Sequence, residues 1–162
     1  MPSITPCLWF DGNAEEAAAF YVSVFPDSRI DAVNRAPSAY PAGEAGQVIL
    51  VEFTLMGRPF TGLNGGPQFT FSEAVSFQVP VETQEEADRF ADALSAVPEA
   101  EMCGWVKDRF GVSWQIVPRP LIRLISDPDR ARARRAFEAM MQMKRIDIAA
   151  LERAADDIAP SA

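Results

Sequence analysis

The sequence predicts an α+β fold of two tandem strand–helix–strand–strand–strand modules (βαβββ), followed by a C-terminal helical extension. Three observations carry this. Glu15-Glu16-Ala17-Ala18-Ala19-Phe20 recurs as Glu85-Glu86-Ala87-Asp88-Arg89-Phe90, 70 residues later. Each copy follows a helix-start signal and is flanked by short apolar, β-branched stretches. A third set of helical patterns begins only after residue 120.

Taken in order, Ile4 to Phe10 reads as the first strand. Asn13 is the expected N-cap of the first helix, with Glu16 three residues on; a side-chain oxygen there can accept from a free backbone N–H. Ala17, Phe20, Tyr21 and Val24 then form one apolar stripe. A strand in residues 29–47 is obscured by Tyr40-Pro41-Ala42-Gly43. Val48 to Met56 is a strand, Gly57 a turn and Phe60 to Leu63 the closing strand. Asn64-Gly65-Gly66-Pro67 is the natural joint between halves.

The second half repeats the plan. Val75 to Val81 leads into a capping box, Thr83 with Glu86, and the stripe Ala87, Phe90, Ala91, Leu94. Gly104 to Lys107, a turn at Asp108 to Gly111 and Val112 to Val117 follow. Aligning Gly57 with Gly111 sets Phe60 over Trp114 and Thr61 over Gln115. In the extension, Asp127-Pro128 starts a helix bearing Ala133, Phe137, Met140, Met141 and Lys144, and Asp147 caps a last one with Ile148 and Leu151. The expected organisation is 1–66, 67–120 and 121–158, one compact domain overall.

Composition excludes more chemistry than it suggests. The 162 residues contain no histidine and two cysteines, which removes His-based nucleophile activation, His-containing metal sites and a thiolate zinc cage. No apolar run approaches the roughly 20 residues of a membrane span, and no signal peptide is visible. Cys7 and Cys103 suit a reducing cytoplasm better than a disulfide framework. Net charge is −8. Residues 1–118 hold 6 basic and 16 acidic groups, whereas 119–145 hold 8 basic and 3 acidic. An acidic body disfavours nucleic acid. The basic block reads as a solvated helix face, a docking surface on an acidic body, or an anion patch.

Several segments carry a resemblance: Ile4-x-Pro6-x-Leu8-Trp9-Phe10, Ala14-Glu15-Glu16-Ala17 with Phe20-Tyr21, Leu63-Asn64-Gly65-Gly66-Pro67, Gly104-Trp105 with Asp108 to Gln115, and Met143-Lys144-x-Ile146-Asp147. In these the chain resembles the PhnB-like family, often labelled 3-demethylubiquinone-9 3-methyltransferase. That family belongs to the vicinal oxygen chelate (glyoxalase, bleomycin resistance, dioxygenase) superfamily. The resemblance implies curved sheets around a cavity, a homodimer, and relatives that also carry the C-terminal extension.

It also implies four corner positions where metal-dependent members place ligands, here Pro6, Thr61, Ser76 and Gln115, with a residue of slip at the first two. None is an anion, so no metal and no cofactor is expected. The methyltransferase label has no Gly-rich strand-to-helix loop behind it, since the nine glycines contain no G-x-G. The expected function is metal-free binding of a small apolar or aromatic molecule by Thr61, Ser76, Trp105 and Gln115. The alternatives are the methyltransferase of the label, a metal-dependent lyase or dioxygenase, and a partner protein whose cavity its own side chains fill. Glu52, inside the apolar run Val48 to Leu55, is the one candidate general base, against an edge position or an ion pair with Arg58, Lys107 or Arg109. The extension is expected across a dimer or over the cavity mouth, or else on its own body.

Overall fold

The computed structural model describes residues 2–157. The chain forms two compact units, residues 1–71 and 72–162. The division falls beyond the expected 66/67 joint because Phe69 and Phe71 pack edge-on against Trp9 and Phe10, with ring centroids 4.9 and 5.4 Å apart.

The first unit is the complete module. Strand β1 (Cys7–Phe10) is followed by helix α1 (Ala14–Val24) and strands β2 (Arg29–Arg35), β3 (Val48–Leu55) and β4 (Arg58–Asn64). The sheet order is β1-β4-β3-β2, with β1 parallel to β4 and the remaining pairs antiparallel. Alternation sends Val51, Phe53 and Leu55 of β3 and Phe60 of β4 into the core. Tyr21 of α1 lies on Phe53, which stacks on Phe60 at 5.6 Å between centroids. Each such fully buried ring contributes about 2–3 kcal/mol by leaving water.

Helix α1 differs from the sequence reading in two ways. Its buried face is Ala14, Ala17, Ala18 and Tyr21, whereas Phe20 and Val24 are only half-buried. The four alanine and tyrosine positions let the helix lie close to the sheet. Asn13 makes no side-chain cap bond. Asn64 of β4 does that work instead: its Oδ1 accepts from Ala14 N at 2.9 Å, while its Nδ2 donates to Val48 O at 2.9 Å.

The second unit comprises β5 (Ser76–Val81), α2 (Gln84–Leu94), β6 (Trp105–Lys107) and β7 (Ser113–Pro118), then α3 (Arg119–Ile125), α4 (Arg130–Met140) and α5 (Ile148–Ala155). Its sheet is β5-β7-β6, one strand short of the expected five-element module. The reason is local. Only ten residues join α2 to β6, and Pro98–Ala100 form a 3-10 turn there. The open edge of β6 and of the turn before it is met by backbone from elsewhere: Ala96 N donates to Lys107 O of the strand, and Cys103 N and Gly104 N of the turn donate to Met143 O and Lys144 O. Gly104 is required at this crossing. Its φ is +85°, and a Cβ would stand 2.7 Å from Ile116 O.

The capping box at Thr83 and Glu86 forms as expected. The helix predicted from Asp127-Pro128 starts two residues later. Asp129 caps α4 by accepting from Ala131 N and Arg132 N, because Asp127 is taken by Asp129 N and Arg132. Asp147 caps α5. The three C-terminal helices bury Leu121, Leu124, Ala136, Ile146, Leu151 and Ala155 in one cluster. The extension buries this cluster within the second unit. Its expected limit at residue 158 lies outside the described residues.

Candidate functional site

Strand register fixes which side chains share the sheet face turned away from each unit's own helix. In the second unit, Gln78, Gln115 and Trp105 form one row and Ser76, Ser113 and Lys107 the next. The opposite face carries Val79, Val81, Val106, Trp114 and Ile116, all buried. Ser76, Trp105 and Gln115, three of the four residues proposed from the sequence, therefore lie on one face. Gln115 Nε2 donates to Ser76 Oγ at 2.8 Å. All three are half-buried.

Two polar residues in this region were not singled out by sequence. Ser113 is 2 % exposed, and its Oγ is the buried side-chain polar atom without a hydrogen-bond partner among the described residues. Lys107 pairs with Glu73, and that ammonium holds the Glu73 carboxyl below the ordinary carboxylate range. A lone serine among apolar neighbours offers no sequence signal of its own. Its position in the run Ser113-Trp114-Gln115, with the tryptophan on the core side, was the available clue.

Asp108 is a third such residue, and it organises the entry to β7. It is 1 % exposed. Its Oδ1 accepts from Phe110 N at 2.8 Å and Val112 N at 3.0 Å, and its Oδ2 accepts from Trp114 Nε1 at 2.9 Å. The carboxylate thus closes the turn and fixes the indole of the core tryptophan. Trp114 packs in the core, on Phe77 at 5.4 Å.

In the first unit the equivalent row is Cys7, Thr61, Glu52 and Ala32. Thr61 is half-buried, and its backbone N–H donates to Pro6 O at 2.9 Å. Glu52 is exposed, with Asn34 Nδ2 at 3.5 Å from its Oε1. Glu52 is therefore not enclosed in the apolar cavity that the general-base reading assumed. Among the described residues of the first unit, Glu52 makes no ion pair with Arg58.

The corner positions need a correction of one residue on β1 and of two on β5. Pro6 has the parity of the core residues Leu8 and Phe10, so the β1 position facing with Thr61 is Cys7. On β5 the residue in register with Gln115 is Gln78, and Ser76 lies two residues before it on the same face. The slip has a simple cause: three residues join β1 to α1, but two join β5 to α2. Neither set suits a divalent cation. The first unit offers one thiol and one exposed carboxylate, and the second only amides and hydroxyls, which cannot offset the ion's dehydration. Among the described residues, no three His, Cys, Asp or Glu side chains group to hold a metal.

A groove of about 570 Å3 opens beside Trp105. Met102 also lines it, standing opposite Trp105 across the Cys103-Gly104 turn; φ is positive at both turn residues, as a tight two-residue connection needs. Phe137, Met140 and Met141 of the extension line it too.

The family model for 3-demethylubiquinone-9 3-methyltransferase matches residues 2–117. The PhnB protein of Bacillus cereus, whose name carries the same methyltransferase description, is 36% identical. The match covers 72% of this chain and 99% of that one, at a TM-score of 0.60. Protein PA1353 of Pseudomonas aeruginosa shares the fold at 19% identity, over 73% of this chain and 98% of its own, with a TM-score of 0.56. A glyoxylase/bleomycin resistance protein/dioxygenase domain from Frankia also matches, at 13% identity, 70% and 89% coverage and a TM-score of 0.41. No curated protein matches the sequence. The Bacillus cereus and Pseudomonas aeruginosa proteins are covered almost end to end by under three quarters of this chain, so in these two the expectation of a C-terminal extension is not met. Met143 to Asp147 likewise falls outside the matched region. With the signature segments up to Gln115 and a family model spanning residues 2–117, the chain belongs to the family described as 3-demethylubiquinone-9 3-methyltransferase.

Proposed function

We propose that this protein binds a small organic molecule through uncharged polar and aromatic side chains, without a metal ion. Ser76, Gln115 and Trp105 are the proposed contacts within the second unit, and Thr61 is the proposed contact of the first unit taken by itself. One observation carries the reading: the buried, unpartnered Ser113 hydroxyl, in the row beside the Ser76–Gln115 bond. A buried hydroxyl without a partner costs about 1–3 kcal/mol, and a ligand carbonyl or hydroxyl would remove that cost. Gln115 spends one amide hydrogen on Ser76 and keeps its other groups for a ligand. Trp105 supplies a ring face on which a planar group can stack.

The same proposal includes a homodimer in the cytoplasm. The free thiols Cys7 and Cys103 suit a reducing compartment, and no helix among the described residues is long and apolar enough to cross a membrane. The methyltransferase in the family's name has no matching feature in this chain. The strand-to-helix connections are Asp11-Gly12-Asn13 and Glu82-Thr83, neither of them the Gly-rich phosphate- or nucleoside-cradling loop such cofactors use. Calorimetry with S-adenosylmethionine is expected to show no heat.

A thermal-shift screen of aromatic metabolites, run with a chelator present, tests the proposal. A ligand at 100 times its Kd adds about 2.7 kcal/mol of apparent stability, a rise of several degrees for a chain this long. Gln115→Ala is expected to weaken the best compound at least tenfold. A screen without any stabilising compound would overturn the reading, as would binding that needs a divalent ion.

A further inference from the structure

We infer, resting on the small-molecule reading above, that the groove between the β6 turn and α4 is a subsite for an uncharged planar aromatic group. Its walls are the indole of Trp105, the phenyl ring of Phe137 and the thioethers of Met102, Met140 and Met141. Thioethers adapt their shape to an aromatic edge, and the two rings offer faces for stacking. The groove, about 570 Å3, is open to solvent, so a planar group lying in it keeps one side in water.

Charge selects the ligand class. Glu73 is the one charged residue of the lining, and Lys107 neutralises it. A cationic ligand therefore gains no unpaired carboxylate, and an anionic one meets a chain of net charge −8. Size argues against a second copy of the chain as occupant. The well-exposed apolar residues here are Met102, Phe137 and Met141, at 54%, 47% and 49%. A stable protein interface needs about 800 Å2 and roughly 20–30 residues a side.

Part of this wall lies outside the family match: Phe137, Met140 and Met141 lie beyond residue 117, where that match ends.

The experiment is calorimetric titration of the full chain with 2-naphthol, and with 2-naphthalenesulfonate as its anionic counterpart. The expected result is one bound 2-naphthol per chain and sulfonate binding at least fivefold weaker. Met141→Glu and Phe137→Glu, both at exposed positions, are each expected to weaken 2-naphthol at least tenfold. Met141→Gln is expected to lose less than threefold, and Ile122→Glu, an equally exposed apolar site outside the groove, to change nothing. A thermal midpoint within about 2 °C of the parent, on the scale of a surface change, qualifies each variant as folded. Absence of 2-naphthol binding at millimolar concentration overturns the inference, and so does binding indifferent to both glutamate variants. If Gln115→Ala rather than Met141→Glu abolishes 2-naphthol binding, the groove is wrong and the small-molecule reading stands. If Met141→Glu alone abolishes it, and no compound in the thermal screen responds to Gln115→Ala, the groove stands and the Gln115 reading fails. A change of mass with Met141→Glu in sedimentation would identify a second copy as occupant and overturn the inference.

Discussion

Asp108 concentrates three hydrogen bonds on one buried carboxylate. Asp108→Ala leaves two backbone N–H groups and the Trp114 indole N–H without their acceptor, so the loss is expected at about 3–5 kcal/mol in a denaturant titration. Asn64→Ala strips the partners from Ala14 N and Val48 O, for about 2–3 kcal/mol. Ser113→Ala has the opposite sign. Removing an unpartnered buried hydroxyl is expected to leave stability unchanged or raise it by up to about 1 kcal/mol, while weakening any ligand that uses it. A loss above 1 kcal/mol would mean that the hydroxyl has a partner in the free protein. These residues also show where sequence reading stops. The Thr83 capping box was legible because both partners lie within one turn. Asn64 caps a helix whose first residue is 50 positions away, and no local pattern reports such a bond. Gly65 follows it for a tertiary reason as well, since a Cβ there would stand 2.3 Å from the Trp9 ring.

At the scale of elements, most strands and helices were legible from apolar periodicity, because each unit has a single sheet face against a helix. What failed was counting between elements. A one-residue difference in the strand-to-helix connections shifts the corner positions, and periodicity within each element is blind to it. The segment that meets the turn before β6 was also invisible, because it comes from the extension. Arg145 pins that segment by pairing with Asp92 of α2 and with Glu101. Gln84 binds both Ile146 O and Ile148 N beside it. Arg145 and Ser95 hold the Glu101 carboxyl below its ordinary value near 4.5, so its contribution is complete above that value and is lost as pH falls through the folded-state value. Thermal midpoints are therefore expected to fall on acidification below about pH 4.5. In Arg145→Ala that acid-dependent component is expected to shrink, with about 1 kcal/mol lost at neutral pH because the ion pairs are partly solvent-screened. An unchanged acid profile in the variant would remove Arg145 as the clasp.

The whole chain joins a family module of residues 2–117 to an extension that lies outside the family match. The extension buries its own apolar cluster and closes a backbone edge of the second unit. Ending the chain at Pro118 is expected to expose that edge and to give aggregates by light scattering; a soluble, cooperative truncation would show that the extension is dispensable for folding. Ligand recognition by uncharged groups is the claim on which the functional account stands. Its most direct test is a proton–nitrogen correlation spectrum of the full chain, titrated with the strongest stabiliser from the aromatic-metabolite screen under chelation. The account predicts that the Gln115 side-chain amide and the Ser113 backbone amide shift together and saturate with the ligand. Saturable binding that leaves both signals in place, or appears only after a divalent ion is added, would contradict it.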